Sequence, residues 1–246
     1  MIKTAFITGA SSGIGYATAK ILDKNGYSII ACGRRKERLI ELQKELINDS
    51  FILTFDVRNN NDVAKAISLL PLKFHRIDLL LNNAGNAHGL ASIQDGDLED
   101  WDAMIDINVK GLLYVTKNVL PLLSKGSRII NIGSIAGKET YPNGNVYCAS
   151  KYAVDTLTKG MRMDLLEHKI LVSSINPGHV ETEFAKVRFK GDSTKANSTY
   201  EGFEPLIAVD VAETVLFMAT RPSNVNIADV TIFCRSQASA TVINKN

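Results

Sequence analysis

The stretch FITGASSGIGYATAK, residues 6–20, constrains the fold more than any other part of the chain. A short apolar run that reads as a strand leads straight into glycines at 9, 13 and 15, and then into residues with helical spacing. Glycines at a strand-to-helix junction let the backbone turn tightly, approach a ligand and pack the helix close to the sheet. The helix start then offers unpaired N–H groups and the positive end of its dipole to phosphate. The segment therefore reads as a dinucleotide site built on Gly9, Ser11, Ser12, Gly13, Ile14 and Gly15; a tight structural turn is the plainer alternative.

The remainder of the chain keeps the same alternation. Apolar, strand-like runs lie at 4–8, 28–32, 51–55, 77–81, 128–132, 171–175 and 230–233, with helical patterns at 14–25, 36–47, 60–69, 100–123, 146–168 and 209–219. This predicts an α/β, doubly wound fold: a seven-stranded parallel sheet with helices on both faces. A length of 246 residues suits one domain over 1–246. The stretch EFAKVRFKGDSTKANSTYEGFE, 183–204, breaks the pattern with charges and glycines. Long irregular stretches in compact domains are usually functional, so it reads as a substrate lid, with a plain surface insertion as the alternative.

Bulk properties exclude several classes. With 28 basic against 26 acidic residues and a net charge of +2, no broad field exists to hold nucleic acid or an anionic membrane. Cys32, Cys148 and Cys234 are odd in number and widely spaced, as in a reduced, cytoplasmic protein. The first apolar run is too short for a signal peptide or a membrane span. His75, His88, His168 and His179 show no metal-ligand spacing, so no metal site is expected.

The second strand ends in ACGRRKERL, with no acidic residue before Glu37. An acidic residue there would bind the ribose 2′-hydroxyl of NAD. Gly33 leaves room instead, and Arg34 and Arg35 supply guanidinium groups for a 2′-phosphate, which favours NADP; a solvated basic turn is the alternative. Asp56 and Val57 in TFDVRN, and Asn83, Ala84 and Gly85 in LLLNNAG, fall at the carboxyl ends of strands, where open α/β sheets bind ligands.

Tyr147 and Lys151, in YCASK, sit four apart at the start of a helical pattern and so share a face. A phenol has an ordinary pKa near 10. A neighbouring ammonium and a helix N-terminus both favour the phenolate, so Lys151 is expected to lower the Tyr147 pKa and make it an acid/base. The pair alone also fits a solvated helix face. Ser134, after the fifth strand, and Asn108, in MIDINVKG, supply a hydroxyl for a substrate oxygen and an amide for a proton path.

Taken in order, TGASSGIG, NNAG, NVKG, GS, YCASK and NPGHVET resemble the short-chain dehydrogenase/reductase superfamily over nearly the whole chain. The resemblance implies a Rossmann-type sheet and a catalytic tetrad of Asn108, Ser134, Tyr147 and Lys151, with Tyr147 exchanging the proton, Ser134 orienting the carbonyl, Lys151 also binding the nicotinamide ribose and Asn108 supporting a proton relay. It further implies that Pro177, Gly178, Val180 and Thr182 line the cofactor site and that the chain forms a homotetramer. GRRKERL, IINIGSIAGKETYPNGNVYCASK, VETEFAKVRFKGDSTKA and VNIADV are similar, more narrowly, to the NADP-dependent 3-hydroxy acid dehydrogenases. That resemblance implies a small-molecule hydroxy acid substrate such as serine, allo-threonine or 3-hydroxypropionate. His179 and Cys148 depart from the expected residues and are read as pocket walls. A hydroxy acid carries a carboxylate; Arg188 is the candidate cation, with Lys186, Lys190 and His179 behind it, and a solvated charge on the lid is the alternative. An acyl thioester, an uncharged carbonyl, or a non-catalytic NADP sensor are the competing readings.

Overall fold

The computed structural model describes residues 2–245. Seven strands form one sheet in the order β3-β2-β1-β4-β5-β6-β9, every pair parallel. They are β1 (Lys3–Thr8), β2 (Tyr27–Gly33), β3 (Ser50–Thr54), β4 (Ile77–Asn82), β5 (Leu123–Ile132), β6 (Leu171–Pro177) and β9 (Asp229–Ile232). The helices between them are α1 (Gly13–Lys24), α2 (Lys36–Glu45), α3 (Asn60–Ser68), α4 (Leu98–Ile105), α5 (Leu112–Val119), α6 (Asn145–Asp164) and α9 (Ala208–Ala219). The expected doubly wound seven-stranded sheet is present.

Strand periodicity explains the two cores. On β1, Ala5 and Ile7 join a cluster with Leu22 of α1, Leu39 of α2 and Val211 and Val215 of α9. Phe6, between them, points to the other face and packs with Val63 of α3 and Val115 and Val119 of α5. Strands buried on both sides are apolar at successive positions, which is why they read as continuous runs. The order reverses direction between β1 and β4, so the crevice at the carboxyl ends of these strands is where the architecture gathers its loops.

Two expectations need correction. Helix 100–123 is not continuous: α4 gives way to a π-helical turn at Asp106–Gly111, α5 ends at Val119, and β5 starts at Leu123. Gly111 permits the close approach of this turn, since a Cβ there would lie 2.7 Å from Val57, and Pro121 stops the helix. The helix expected at 146–168 ends at Asp164. The 183–204 stretch is also more ordered than its composition suggests. It holds α7 (Phe184–Arg188) and α8 (Ser193–Ser198), and its ends are drawn together by a small parallel pair, β7 (Val180–Glu181) with β8 (Leu206–Ile207). No helix among the described residues is long and apolar enough to cross a membrane.

Candidate active site

The glycine turn after β1 is shaped by close contacts. Gly9 and Gly13 have φ of 65° and 54°, and a Cβ on Gly15 would lie 2.5 Å from the Gly9 carbonyl oxygen. Only glycine fits. The Thr8 hydroxyl accepts from the backbone N–H groups of Asn83 and Ala84, both at 2.9 Å. The Asn83 amide donates in return to the carbonyls of Thr8 and Gly9 at 2.9 and 3.3 Å. NNAG therefore braces the turn as well as lining the space beside it. Ser12, at the N-cap of α1, makes no side-chain capping bond, and no acidic residue stands in the first turn, so the positive helix end faces the cleft.

One cleft of about 320 Å³ runs from this turn past Arg34 and Arg35 to Ser134, Tyr147 and Lys151. Gly9, Ser11, Ser12, Gly13, Ile14, Asp56, Val57, Asn83, Ala84, Gly85, Pro177, Gly178, Val180 and Thr182 line it too. Three of the expected site residues stand apart. Gly15 lies beneath the turn. Asn108 sits behind Asn86 and Gly85, accepting from Asn86 N at 2.9 Å and donating to Asn86 O at 2.8 Å and to Ser150 Oγ at 3.0 Å. These bonds come from the π-helical turn, a distortion often found at functional positions. Arg188 lies across Tyr147, in a smaller recess with His88, Trp101 and Asn145 that Tyr147 also lines.

Tyr147 and Lys151 are 7% and 6% exposed, which excludes a solvated helix face. The Lys151 ammonium donates to the Ile132 carbonyl at 3.0 Å. Their acidities differ from the expected pattern. Burial, the largest influence, raises the Tyr147 pKa; Tyr141 adds to that, while hydrogen bonding with Ser134 and the Arg188 charge oppose it. Burial also pulls Lys151 down to about 8. The expected lowering of the phenol by Lys151 is thus corrected: within the protein alone desolvation wins, because the low-dielectric site penalises both charged forms.

Arg188 stacks near the Tyr147 ring, 5.3 Å from guanidinium carbon to centroid, and donates to Tyr141 Oη at 2.8 Å and to the Gly89 carbonyl at 3.2 Å. Among the described residues no carboxylate forms an ion pair with it, whereas Lys190 is engaged by Asp97 and Asp100 at 3.4 and 3.0 Å. His179 packs edge-on against Phe203 at 5.7 Å, outside the main cleft, and burial lowers its pKa. Cys148 is buried in the cluster around Tyr147.

The sequence reading missed Glu183, Arg38, Tyr141 and Phe184. Glu183 lines the cleft and shares its carboxylate between Arg35 and Arg38 at 2.7 and 2.6 Å. Burial works against its charge, but these two guanidinium bonds outweigh it and hold the acid at about 2. The signals for Arg38 and Glu183 were present only as separate charges, 145 residues apart.

A family model described as short chain dehydrogenase matches residues 3–193. The chain belongs to the short-chain dehydrogenase family. Within it, an NADP-dependent 3-hydroxy acid dehydrogenase, YdfG, from Salmonella typhi is 43% identical over 237 residues, covering 95% of this chain and 96% of the relative. Sulfoacetaldehyde reductase 2 from Chromohalobacter salexigens is 42% identical over 243 residues, 97% of this chain and 96% of its own. Among solved structures, the closed form of serine dehydrogenase complexed with NADP+ has a TM-score of 0.93 at 39% identity, over 99% of both chains.

Proposed function

We propose that the protein is an NADP-dependent dehydrogenase that interconverts short 3-hydroxy acids and their 3-oxo acids. The observation that carries the substrate class is Arg188: a cation beside the Tyr147 ring, with no carboxylate paired to it among the described residues. NADP dependence is supported by the YdfG relative and by the NADP-bound structural neighbour. The residues fit that cofactor. The glycine cradle would be filled by any Cβ at Gly15, Gly33 keeps a small residue at the end of β2, and Arg34 and Arg35 line the cleft beside it.

In this reading the Gly9–Gly15 turn and the start of α1 would hold the pyrophosphate, and Arg34 would hold the 2′-phosphate, with Arg35 beside it bracing the turn through Ser11 and Ser12. When bound, the nicotinamide supplies the hydride acceptor for oxidation and the donor for reduction. Tyr147, which keeps its proton in the buried site, gives it to the substrate carbonyl oxygen in reduction, and in oxidation its phenolate, formed as the pH rises, takes the proton from the substrate hydroxyl. Ser134 hydrogen-bonds the same oxygen. Lys151, steadied by Ile132, would offer its remaining N–H groups to the nicotinamide ribose. Asn108 fixes the main chain at Asn86 and holds Ser150, whose hydroxyl donates to the Tyr147 carbonyl at 2.7 Å, so it steadies the start of α6 as well as serving a proton relay. The 183–204 stretch acts as lid and brings Arg188 to the substrate's acid group.

The sulfoacetaldehyde reductase relative favours one second reading, an aldehyde bearing a sulfonate. A guanidinium serves either anion. Initial rates with serine, threonine isomers, 3-hydroxypropionate, 2-hydroxyethanesulfonate and a neutral alcohol, each with NADP and NAD, test the assignment. Preference for a carboxylate with NADP supports it; preference for the neutral alcohol overturns it. The exposed apolar side chains Leu98, Ile105, Leu113, Tyr152 and Met163 on α4 to α6 support self-association, and native mass spectrometry would test whether the assembly is a homotetramer.

A further inference from the structure

Glu183 stands where the 183–204 stretch leaves the body of the protein, and its carboxylate reaches back across the cleft. One oxygen accepts from Arg35 Nη1 at 2.7 Å and the other from Arg38 Nη1 at 2.6 Å. Arg35 spends its remaining nitrogens on the glycine turn: Nη2 donates to Ser12 Oγ at 2.6 Å, and Nε and Nη2 both reach Ser11 Oγ at 3.1 Å. A single carboxylate therefore ties three parts of the site together: the phosphate turn, the start of α2 and the root of the lid. The next residue, Phe184, lies edge-on to the Tyr147 ring at 5.7 Å. On the other side of Glu183, a Cβ on Gly13 would lie 3.4 Å from the Thr182 side chain, so the lid root passes close to the turn.

We propose that Glu183 and Arg38 form a clasp that holds the lid root across the cofactor cleft and thereby sets how long NADP(H) stays bound. The proposal rests on the NADP reading above. Glu183 touches none of the reacting atoms; it is a positioning residue acting through Arg35 and the lid. The ion pairs are 40–45% exposed, so their effect on global stability is small. Their effect on release is larger, because a ligand beneath the bridge leaves only after the lid root moves. The opposite arrangement is equally definite: if the Glu183 carboxylate merely filled the 2′-phosphate position on Arg35, the phosphate would have to displace it, and removing its charge would tighten NADPH binding.

The test uses Glu183→Gln, Arg38→Gln and the double variant. NADPH release is followed by stopped-flow fluorescence, and backbone hydrogen exchange of 183–204 is measured without cofactor. A clasp predicts release roughly tenfold faster in Glu183→Gln, on the order of 1.4 kcal/mol, with partial rescue by Glu183→Asp. It also predicts that the double variant is no worse than Glu183→Gln alone, since both residues act through one bridge. Exchange in 183–204 rises in the same variants. Slower release, tighter binding, simple additivity or unchanged exchange each overturn the clasp. If the unaltered protein failed to bind NADPH at all, the cofactor reading would fall, and the exchange measurement would still decide whether Glu183 restrains the lid.

Discussion

Lys151 and the main-chain carbonyl of Ile132 lie 3.0 Å apart, so among the described residues this buried ammonium donates to a neutral oxygen and pairs with no carboxylate. That explains why burial governs it and brings its pKa from 10.5 to about 8. Between pH 8 and 10.5 the unfolded chain binds more protons at this residue than the native protein does, so native stability gains with pH across that window. Below pH 8 the penalty is constant. At roughly 1.4 kcal/mol per unit the gain is about 3 kcal/mol. Urea unfolding of the wild type and of Lys151→Met at pH 7, 8, 9 and 10 checks this. The wild-type stability minus that of the variant should increase with pH, and the subtraction removes other titrating groups such as Tyr147 and Cys32. A flat difference would show that Lys151 does not titrate in this range.

The buried phenol leads to a second prediction. Because desolvation raises the Tyr147 pKa, the group holds its proton at neutral pH and stands ready as an acid. Tyr147→Phe should leave NADPH affinity within about threefold while reducing turnover by roughly 10²–10⁴, the usual contribution of a positioned acid/base. Steady-state rates with a short 3-hydroxy acid, alongside fluorescence titration of NADPH, separate the two effects. Near-normal turnover in a folded variant would end the proposed role.

How much of this was legible depends on how local each cause is. The strands were readable because Ala5, Phe6 and Ile7 face two cores in turn and must all be apolar. The cleft was readable because its residues follow strand ends. The break in the helix at Asn108 was not, since it depends on bonds to the main chain of Asn86. Glu183 was missed for the same reason: its partners are far away in sequence. The Tyr147 acidity was misjudged because spacing suggests a charged neighbour but gives no weight to burial.

Arg34 and Arg35 are adjacent, yet their surroundings predict different phenotypes. Arg34 is 60% exposed and reaches Asp56 only at 4.0 Å, so its guanidinium is available to a 2′-phosphate. Arg34→Ala should weaken NADP(H) by about 10- to 100-fold, the range of a bond to a charged group, and hardly change NAD(H). Arg35 also holds Ser11, Ser12 and Glu183. Arg35→Ala should therefore weaken both cofactors. Isothermal titration with each cofactor checks the pair, and equal losses of NADP and NAD in Arg34→Ala would remove it from the 2′-phosphate site.

Arg188 gives the sharpest separation between substrate classes. Its guanidinium is positioned by Tyr141 Oη at 2.8 Å and the Gly89 carbonyl at 3.2 Å, both neutral, so its positive charge is left for a ligand. Arg188→Ala should raise the KM for a carboxylate substrate about 10- to 100-fold, because a charge-assisted bond is lost there, and should raise the KM for a neutral alcohol far less. Tyr141→Phe keeps the charge but loosens its placement, so it should produce a smaller effect of the same kind. Arg188 also opposes the upward shift of Tyr147, so its removal raises the phenol's pKa further and moves the alkaline rise in oxidation rate to higher pH for either substrate. Rate profiles across pH, measured with one carboxylate and one neutral substrate, read the two contributions independently. Equal KM increases for both substrates would place Arg188 in the lid's structure and outside the anion site.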